Sequence, residues 1–175
     1  SSILFMELEV VVLAAGKGTR VRSALPKVLH LVAGKPMLSH VLESAQKLAP
    51  DHIHVVCGHG ADQVREYFSH DPTINWILQA EQMGTGHAVC QALPDISTQS
   101  TVLVLYGDIP LMLPGTLKRL IDEARDGSLA LLSASFDNPH GYGRVVRDSD
   151  NAICAIVEES DASSDQRKIL EINTG

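Results

Sequence analysis

Short apolar runs recur at Val10 to Ala14, Ile53 to Cys57, Ile74 to Leu78 and Val102 to Tyr106, each bounded by Gly, Asp or Pro. Such runs predict strands buried on both faces. Between them, Met37 to Leu48 spaces Leu38, Val41, Leu42, Ala45 and Leu48 along one helical face. Ala61 to Phe68, Thr85 to Ala92 and Pro114 to Ala124 are the other predicted helices, and Pro36 and Pro114 stand near helix starts, where a missing N–H costs nothing. Strand alternating with helix means βαβ units with right-handed crossovers, a parallel sheet, and ligands beyond the carboxyl ends of the strands. From Leu129 the pattern changes to strands without long helices: Leu129 to Phe136, Arg144 to Arg147, Ala152 to Val157 and Ile169 to Ile172. The expected fold is α/β, a Rossmann-like doubly wound, mixed but mainly parallel sheet, with an α+β subregion laid against it.

Composition sharpens this picture. Of 175 residues, 45% are apolar and only 4% aromatic, so Val, Ile, Leu and Ala supply nearly the whole core of one domain. The net charge of −7 argues against a nucleic-acid backbone or an anionic membrane as partner, because both need a broad positive field. Any phosphate ligand must be held by a local site. Cys57, Cys90 and Cys154 are odd in number and widely spaced, which predicts reduced thiols and a cytoplasmic setting. No apolar run approaches the roughly 20 residues of a membrane-spanning helix. Residues 1–8 read as an extension or cloning scar. Residues 9–175 read as an incomplete domain, since the chain stops at Ile172-Asn173-Thr174-Gly175 in a strand and its exit turn.

Chemistry gathers first where the first strand ends. Leu13-Ala14-Ala15-Gly16-Lys17-Gly18-Thr19-Arg20 is followed by Pro26-Lys27-Val28-Leu29. Small residues and two glycines let backbone N–H groups approach an anion, and Lys17, Arg20 and Lys27 supply cations for a triphosphate. This is not a Walker A loop, because Gly34-Lys35 is followed by Pro36; nor is it a dinucleotide fingerprint, since Val21 stands at the third glycine position. Taken alone, Gly-x-Gly also fits a plain strand-to-helix turn. Gln79 to Ala88 offers two amide side chains, two glycines and a hydroxyl, groups able to read a pyrimidine edge without charge. The same stretch fits a helix start at Thr85 with a solvated Gln79. Asp108, ahead of Pro110 at a strand's end, suits magnesium, which takes one or two carboxylates plus substrate phosphates; a turn aspartate is the alternative. His54 and Cys57 lie three residues apart on a strand and so face opposite sides, which favours core positions over a zinc site with His59.

The string Leu-x-x-Gly-x-Gly-Thr-Arg followed by Pro-Lys resembles the signature of the sugar-nucleotide pyrophosphorylases, nucleotidyltransferases with a doubly wound fold. Gln79 to Ala88, Tyr106-Gly107-Asp108-Ile109-Pro110-Leu111 and Gly141-Tyr142-Gly143-Arg144 narrow the resemblance to the bacterial N-acetylglucosamine-1-phosphate uridyltransferases, from about Glu9 to the end of the chain. The resemblance implies that Leu13, Ala14, Ala15, Gly16 and Lys27 bind the nucleotide, and that Gln79, Gly84 and Thr85 contact its uracil. It implies sugar binding by Tyr106, Gly107, Gly143, Glu158 and Asn173, catalysis by Arg20 and Lys27, and Mg2+ on Asp108 together with an asparagine beyond Gly175. Where the enterobacterial-type enzyme has Glu-His-Lys-Asp, this chain has Glu158-Glu159-Ser160-Asp161, and Glu159 receives no role.

The implied reaction joins UTP to N-acetylglucosamine 1-phosphate, giving UDP-N-acetylglucosamine and pyrophosphate for peptidoglycan and lipopolysaccharide precursors. Such enzymes also acetylate glucosamine 1-phosphate on a left-handed β-helix that forms a homotrimer, and none of its hexapeptide repeats occurs here. Three alternatives stay open: another sugar-phosphate nucleotidyltransferase, a cytidylyltransferase, or a catalytically inactive nucleotide-binding fragment. An NAD-linked oxidoreductase would need the full glycine fingerprint and a ribose-binding acid, which are absent.

Overall fold

Val10, Val11 and Val12 are fully buried in the first strand, β1 (Leu8–Ala14), so side chains on both of its faces lie under other elements. The chain continues through a small hairpin, β2 (Leu31–Val32) and β3 (Lys35–Pro36), then α1 (Met37–Gln46), β4 (His52–Cys57), α2 (Ala61–Tyr67), β5 (Ile74–Leu78), α3 (Thr85–Ala92), β6 (Thr101–Tyr106) and α4 (Pro114–Glu123). This computed structural model describes residues 7–16, 23–124 and 127–174. They fall into two units, divided between Asp122 and Glu123.

In the first unit the strands lie in the order β5-β4-β1-β6, every pair parallel, as the alternation of apolar runs and helices predicts. Val10, Val12, Ile53, Val55, Cys57, Leu103 and Leu105 face one side, where α1, α2 and α4 cover them through Leu38, Val41, Leu42, Val64 and Leu117. Val11, Leu13, Val56 and Ile77 face the other side, covered by α3 through Ala88 and Ala92. Each fully buried Val or Leu stabilises by roughly 1.5–3 kcal/mol, so two apolar faces on one sheet hold helices on both.

His54 and Cys57 point to opposite faces, as their spacing requires. His54 Nε2 lies 2.6 Å from Glu9 Oε2, and both side chains are buried. Glu9 Oε1 accepts from the Ser97 N–H and the Ser100 hydroxyl. Burial alone would raise the Glu9 carboxyl pKa, but the Ser100, Ser97 and His54 hydrogen bonds outweigh it and hold the group below its ordinary range. The cluster ties the 97–100 connection to the amino-terminal end of β1, away from the carboxyl end where ligands are expected.

The second unit carries its own sheet, β7 (Ser133–Ser135), β8 (Arg144–Arg147), β9 (Ile153–Val157) and β10 (Glu171–Asn173), in the order β7-β10-β8-β9 with antiparallel pairs throughout. The strand expected over Leu129 to Phe136 shrinks to three residues, and Leu129 is 95% exposed, so its apolar side chain has no sheet to pack on. Arg147 grips Glu171 with two hydrogen bonds of 2.8 Å, and the Ser133 hydroxyl adds a third at 2.6 Å, crossing from β7 and β8 to β10. The Arg147 guanidinium, followed by the Ser133 hydroxyl, holds the Glu171 carboxyl down to about 2. No helix among the described residues is long and apolar enough to cross a membrane.

Candidate functional site

From β1 the chain passes first to β4 on one side of the sheet and later to β6 on the other, so β1 and β6 flank a topological switch point. A cleft of about 480 Å³ opens there, lined by Leu13, Ala14, Ala15, Gly16, Lys27, Val28, Gln79, Gln82, Gly84, Thr85, Ala88, Tyr106 and Asp108. Three segments far apart in sequence meet in it: the exit of β1, the β5–α3 connection, and the exit of β6.

The two strand exits approach closely because residue 107 is glycine. Gly107 N–H donates to the Leu13 carbonyl at 2.9 Å. A Cβ at this position would stand 3.2 Å from both that carbonyl oxygen and Val28 Cγ1. Gly107 is buried and does not line the cleft, while its neighbours Tyr106 and Asp108 do. Lys27 opens a short 3₁₀ turn, Lys27–Leu29, anchored by the buried Val28 and Leu29. Its Nζ donates to Asp108 Oδ2 at 2.6 Å. Both partners are partly exposed, 41% and 31%, so the pair contributes only about 0–1 kcal/mol to stability. Its significance is chemical: a cation suited to phosphate and a hard oxygen donor suited to a divalent ion share one edge of the cleft.

The β5–α3 connection is held from beneath. Gln79 N–H donates to the Cys57 carbonyl at 2.7 Å, and its side chain, only 3% exposed, is bonded rather than solvated. Gln79 Nε2 donates to the Gly84 carbonyl at 3.3 Å and lies 3.0 Å from His87 Nδ1. Gly84, at φ 97°, adopts a backbone that side chains rarely tolerate and turns the chain into α3 at Thr85. Gln82 Nε2 donates to the Ala15 carbonyl, bridging this connection to the exit of β1. Glycine at 58 makes room for that bridge, since a Cβ there would come within 2.7 Å of Gln82 Nε2.

In the second unit, three residues expected at the sugar come together. Asn173 N–H donates to the Gly143 carbonyl at 2.8 Å, and a Cβ at Gly143 would lie 3.3 Å from Glu158 Oε1. The neighbouring Glu159 turns elsewhere. It accepts from the buried Arg144 at 2.6 Å and pairs with His140 at 3.1 Å, and the Arg144 guanidinium holds its carboxyl below the ordinary range. Arg20 and Lys17 lie outside the described residues.

A family model for the MobA-like NTP transferase domain matches residues 10–171. The chain belongs to that family. It is 58% identical over 170 residues to the bifunctional protein GlmU of Pseudomonas paraeruginosa, covering 97% of this chain and 37% of that protein. GlmU of Marinobacter nauticus is 54% identical over 168 residues, again with 37% of its length covered. The chain therefore spans little more than a third of the curated relatives it matches. Among solved structures, UDP-glucose pyrophosphorylase complexed with UDP-glucose superposes with a TM-score of 0.79 at 18% identity, over 97% of this chain and 75% of that one, and so shares the fold. HddC from Yersinia pseudotuberculosis, complexed with GMP-PN, gives 0.68 at 26% identity over 86% and 69%.

Every described residue expected at the nucleotide lines this cleft: Leu13, Ala14, Ala15, Gly16, Lys27, Gln79, Gly84 and Thr85. Gln82, the second amide of the Gln79 to Ala88 stretch, has no role assignable from sequence alone, and neither has Gly58. A polar residue two short of a Gly-Thr-Gly turn was the available signal for Gln82; nothing in the sequence pointed to Gly58.

Proposed function

We propose that residues 9–175 are the nucleotide-binding part of a uridyltransferase that joins UTP to N-acetylglucosamine 1-phosphate and releases pyrophosphate. The observation that carries this reading is the convergence of the β1 exit, the Gln79–Thr85 connection and the Lys27–Asp108 pair on a single cleft. Identity of 58% to GlmU over nearly the whole chain supports the choice of substrates. A phosphate oxygen of the sugar 1-phosphate forms a bond to the α-phosphorus, and the bond from that phosphorus to the β-phosphate oxygen breaks. The nucleophile is already an anion, so the site needs alignment and charge balance rather than a general base.

In this reading the Leu13 to Gly16 backbone holds the nucleotide, Lys27 and Arg20 balance the phosphate charge, and Gln79, Gly84 and Thr85 contact the uracil. The expected sugar contacts are Tyr106 in the first unit, with the buried Gly107 supporting it from the backbone, and Gly143, Glu158 and Asn173 in the second unit. The donor chemistry of Asp108 fits magnesium, a hard cation that accepts a lone carboxylate when phosphates complete its shell. When bound, the ion neutralises phosphate charge, and a second protein ligand is expected from an asparagine outside this sequence. Entering phosphates compete with Asp108 for the Lys27 ammonium, which a pair so exposed permits. Acetylation of glucosamine 1-phosphate, trimerisation and a cytoplasmic setting belong to the full-length protein in this proposal.

Pyrophosphate release is the test, measured with UTP, N-acetylglucosamine 1-phosphate and Mg2+ on this chain and on a full-length version. Release that requires all three supports the reading. UTP binding without pyrophosphate release from the full-length protein would make the domain a binding module instead.

A further inference from the structure

The direction of the Gln79 amide decides what the cleft presents to a base. Gly84 contributes a carbonyl, which only accepts, so the amide end lying 3.3 Å from it is the NH2. The other hydrogen of that NH2 meets His87 Nδ1 at 3.0 Å, which therefore presents a lone pair. The imidazole proton then sits on Nε2, 3.2 Å from the Gln91 amide, whose oxygen accepts it after a half turn of that group. With both hydrogens of Gln79 engaged, Oε1 is left without a partner among the described residues, on a buried side chain that lines the cleft. His87 is half-buried on the first turn of α3 and is not among the lining residues, so it acts through Gln79.

We infer that His87 is a positioning residue that locks the Gln79 amide with its oxygen toward the base, and so selects a base with a ring N–H donor over one with a lone pair there. Uracil carries N3–H; cytosine presents an acceptor at N3. An acceptor held fixed in a nearly water-free wall is satisfied by the first and opposed by the second. The inference rests on the uridyltransferase reading and deepens it, because it assigns the choice of base to a side chain that touches no substrate.

The experiment compares kcat/KM for UTP and for CTP, with N-acetylglucosamine 1-phosphate and Mg2+, in full-length wild type, His87→Leu and His87→Asn. Removing the acceptor in His87→Leu leaves the amide held by the longer, 3.3 Å bond to the Gly84 carbonyl alone, and the UTP:CTP ratio is expected to fall about tenfold. His87→Asn places Oδ1 near the former Nδ1 and restores the ratio to within about twofold of wild type. A general loss of helix α3 packing would lower both rates and leave their ratio alone. Should His87→Leu fail to fold, as judged by its melting transition, His87→Ala is read in the same way. A preserved ratio in the Leu or Ala variant, or a ratio lost equally in His87→Asn, overturns the inference while leaving the uridyltransferase reading intact. A wild type with no preference for UTP overturns both.

Discussion

Adding one methyl group at Gly58 tests whether the two loops of the cleft are tied together by Gln82. The new Cβ would stand 2.7 Å from Gln82 Nε2, 3.0 Å from the Ala15 carbonyl oxygen and 3.2 Å from Ala15 Cβ. The amide is the free end of a flexible side chain and yields, breaking its hydrogen bond to the Ala15 carbonyl at about 1 kcal/mol. Backbone at Ala15 cannot yield so easily, and overpacking of this kind costs roughly 1–3 kcal/mol. Gly58→Ala should therefore destabilise by about 2–4 kcal/mol, a fall in melting temperature of roughly 5–15 °C for a chain of this size. Gln82→Ala alone loses the hydrogen bond, about 1 kcal/mol. In the double variant that bond is lost only once, so its destabilisation should fall short of the sum by about 1 kcal/mol. Urea melts of the four proteins measure this coupling, and UTP titrations should show both single variants weakened with no further loss in the double. Additivity to within about 0.3 kcal/mol would refute the shared contact.

Three further outcomes follow from the same geometry. Lys27→Ala in the full-length protein should lower kcat by about 10²–10³-fold, as expected for a cation at developing phosphate charge, and shift the melting temperature little because its pair with Asp108 is exposed; near-normal turnover removes Lys27 from the machinery. Burial pushes the Cys57 thiol up to about 12, slightly offset by Arg65, whereas Cys90 and Cys154 are exposed. A colorimetric thiol reagent at pH 8 should thus titrate Cys90 and Cys154 in the folded protein and Cys57 only on unfolding; rapid labelling of Cys57 in the folded state contradicts the packing. Because the Glu171 carboxyl is depressed from 4.5 to about 2, its stabilisation is present above pH 4.5 and is lost as the pH falls toward 2. Urea melts across that window should show a smaller acid-induced loss in Glu171→Gln than in wild type, and an equal loss would dismiss the Arg147–Glu171 contact as a source of it.

The parallel sheet was legible because each of its strands is a run of apolar residues, and burial on both faces leaves just that trace in sequence. The hairpin at Leu31–Val32 and Lys35–Pro36 left none, since two-residue strands are too short for a periodicity. Leu129 misled for the opposite reason: an apolar residue near a strand is counted as part of it, and only the pairing partners decide that β7 begins at Ser133. At the site, residues carried by short contiguous strings were readable, Gln79 with Gly84 and Leu13 with Gly16. Contacts joining distant segments were not. Gly58 is needed for what Gln82 does, 24 residues later, to the carbonyl of Ala15, and no local pattern records that. Glu159 likewise drew its partner from the register of β8 against β9, which brings the buried Arg144 to it.

A crystal structure of the protein with UTP and Mg2+ would show whether a nucleotide lies across the β1–β6 switch point. The triphosphate is expected against the Leu13 to Gly16 backbone and Lys27, the metal on Asp108, and the uracil edge at Gln79 and Gly84. A base or phosphate chain bound anywhere outside this cleft would contradict this expectation.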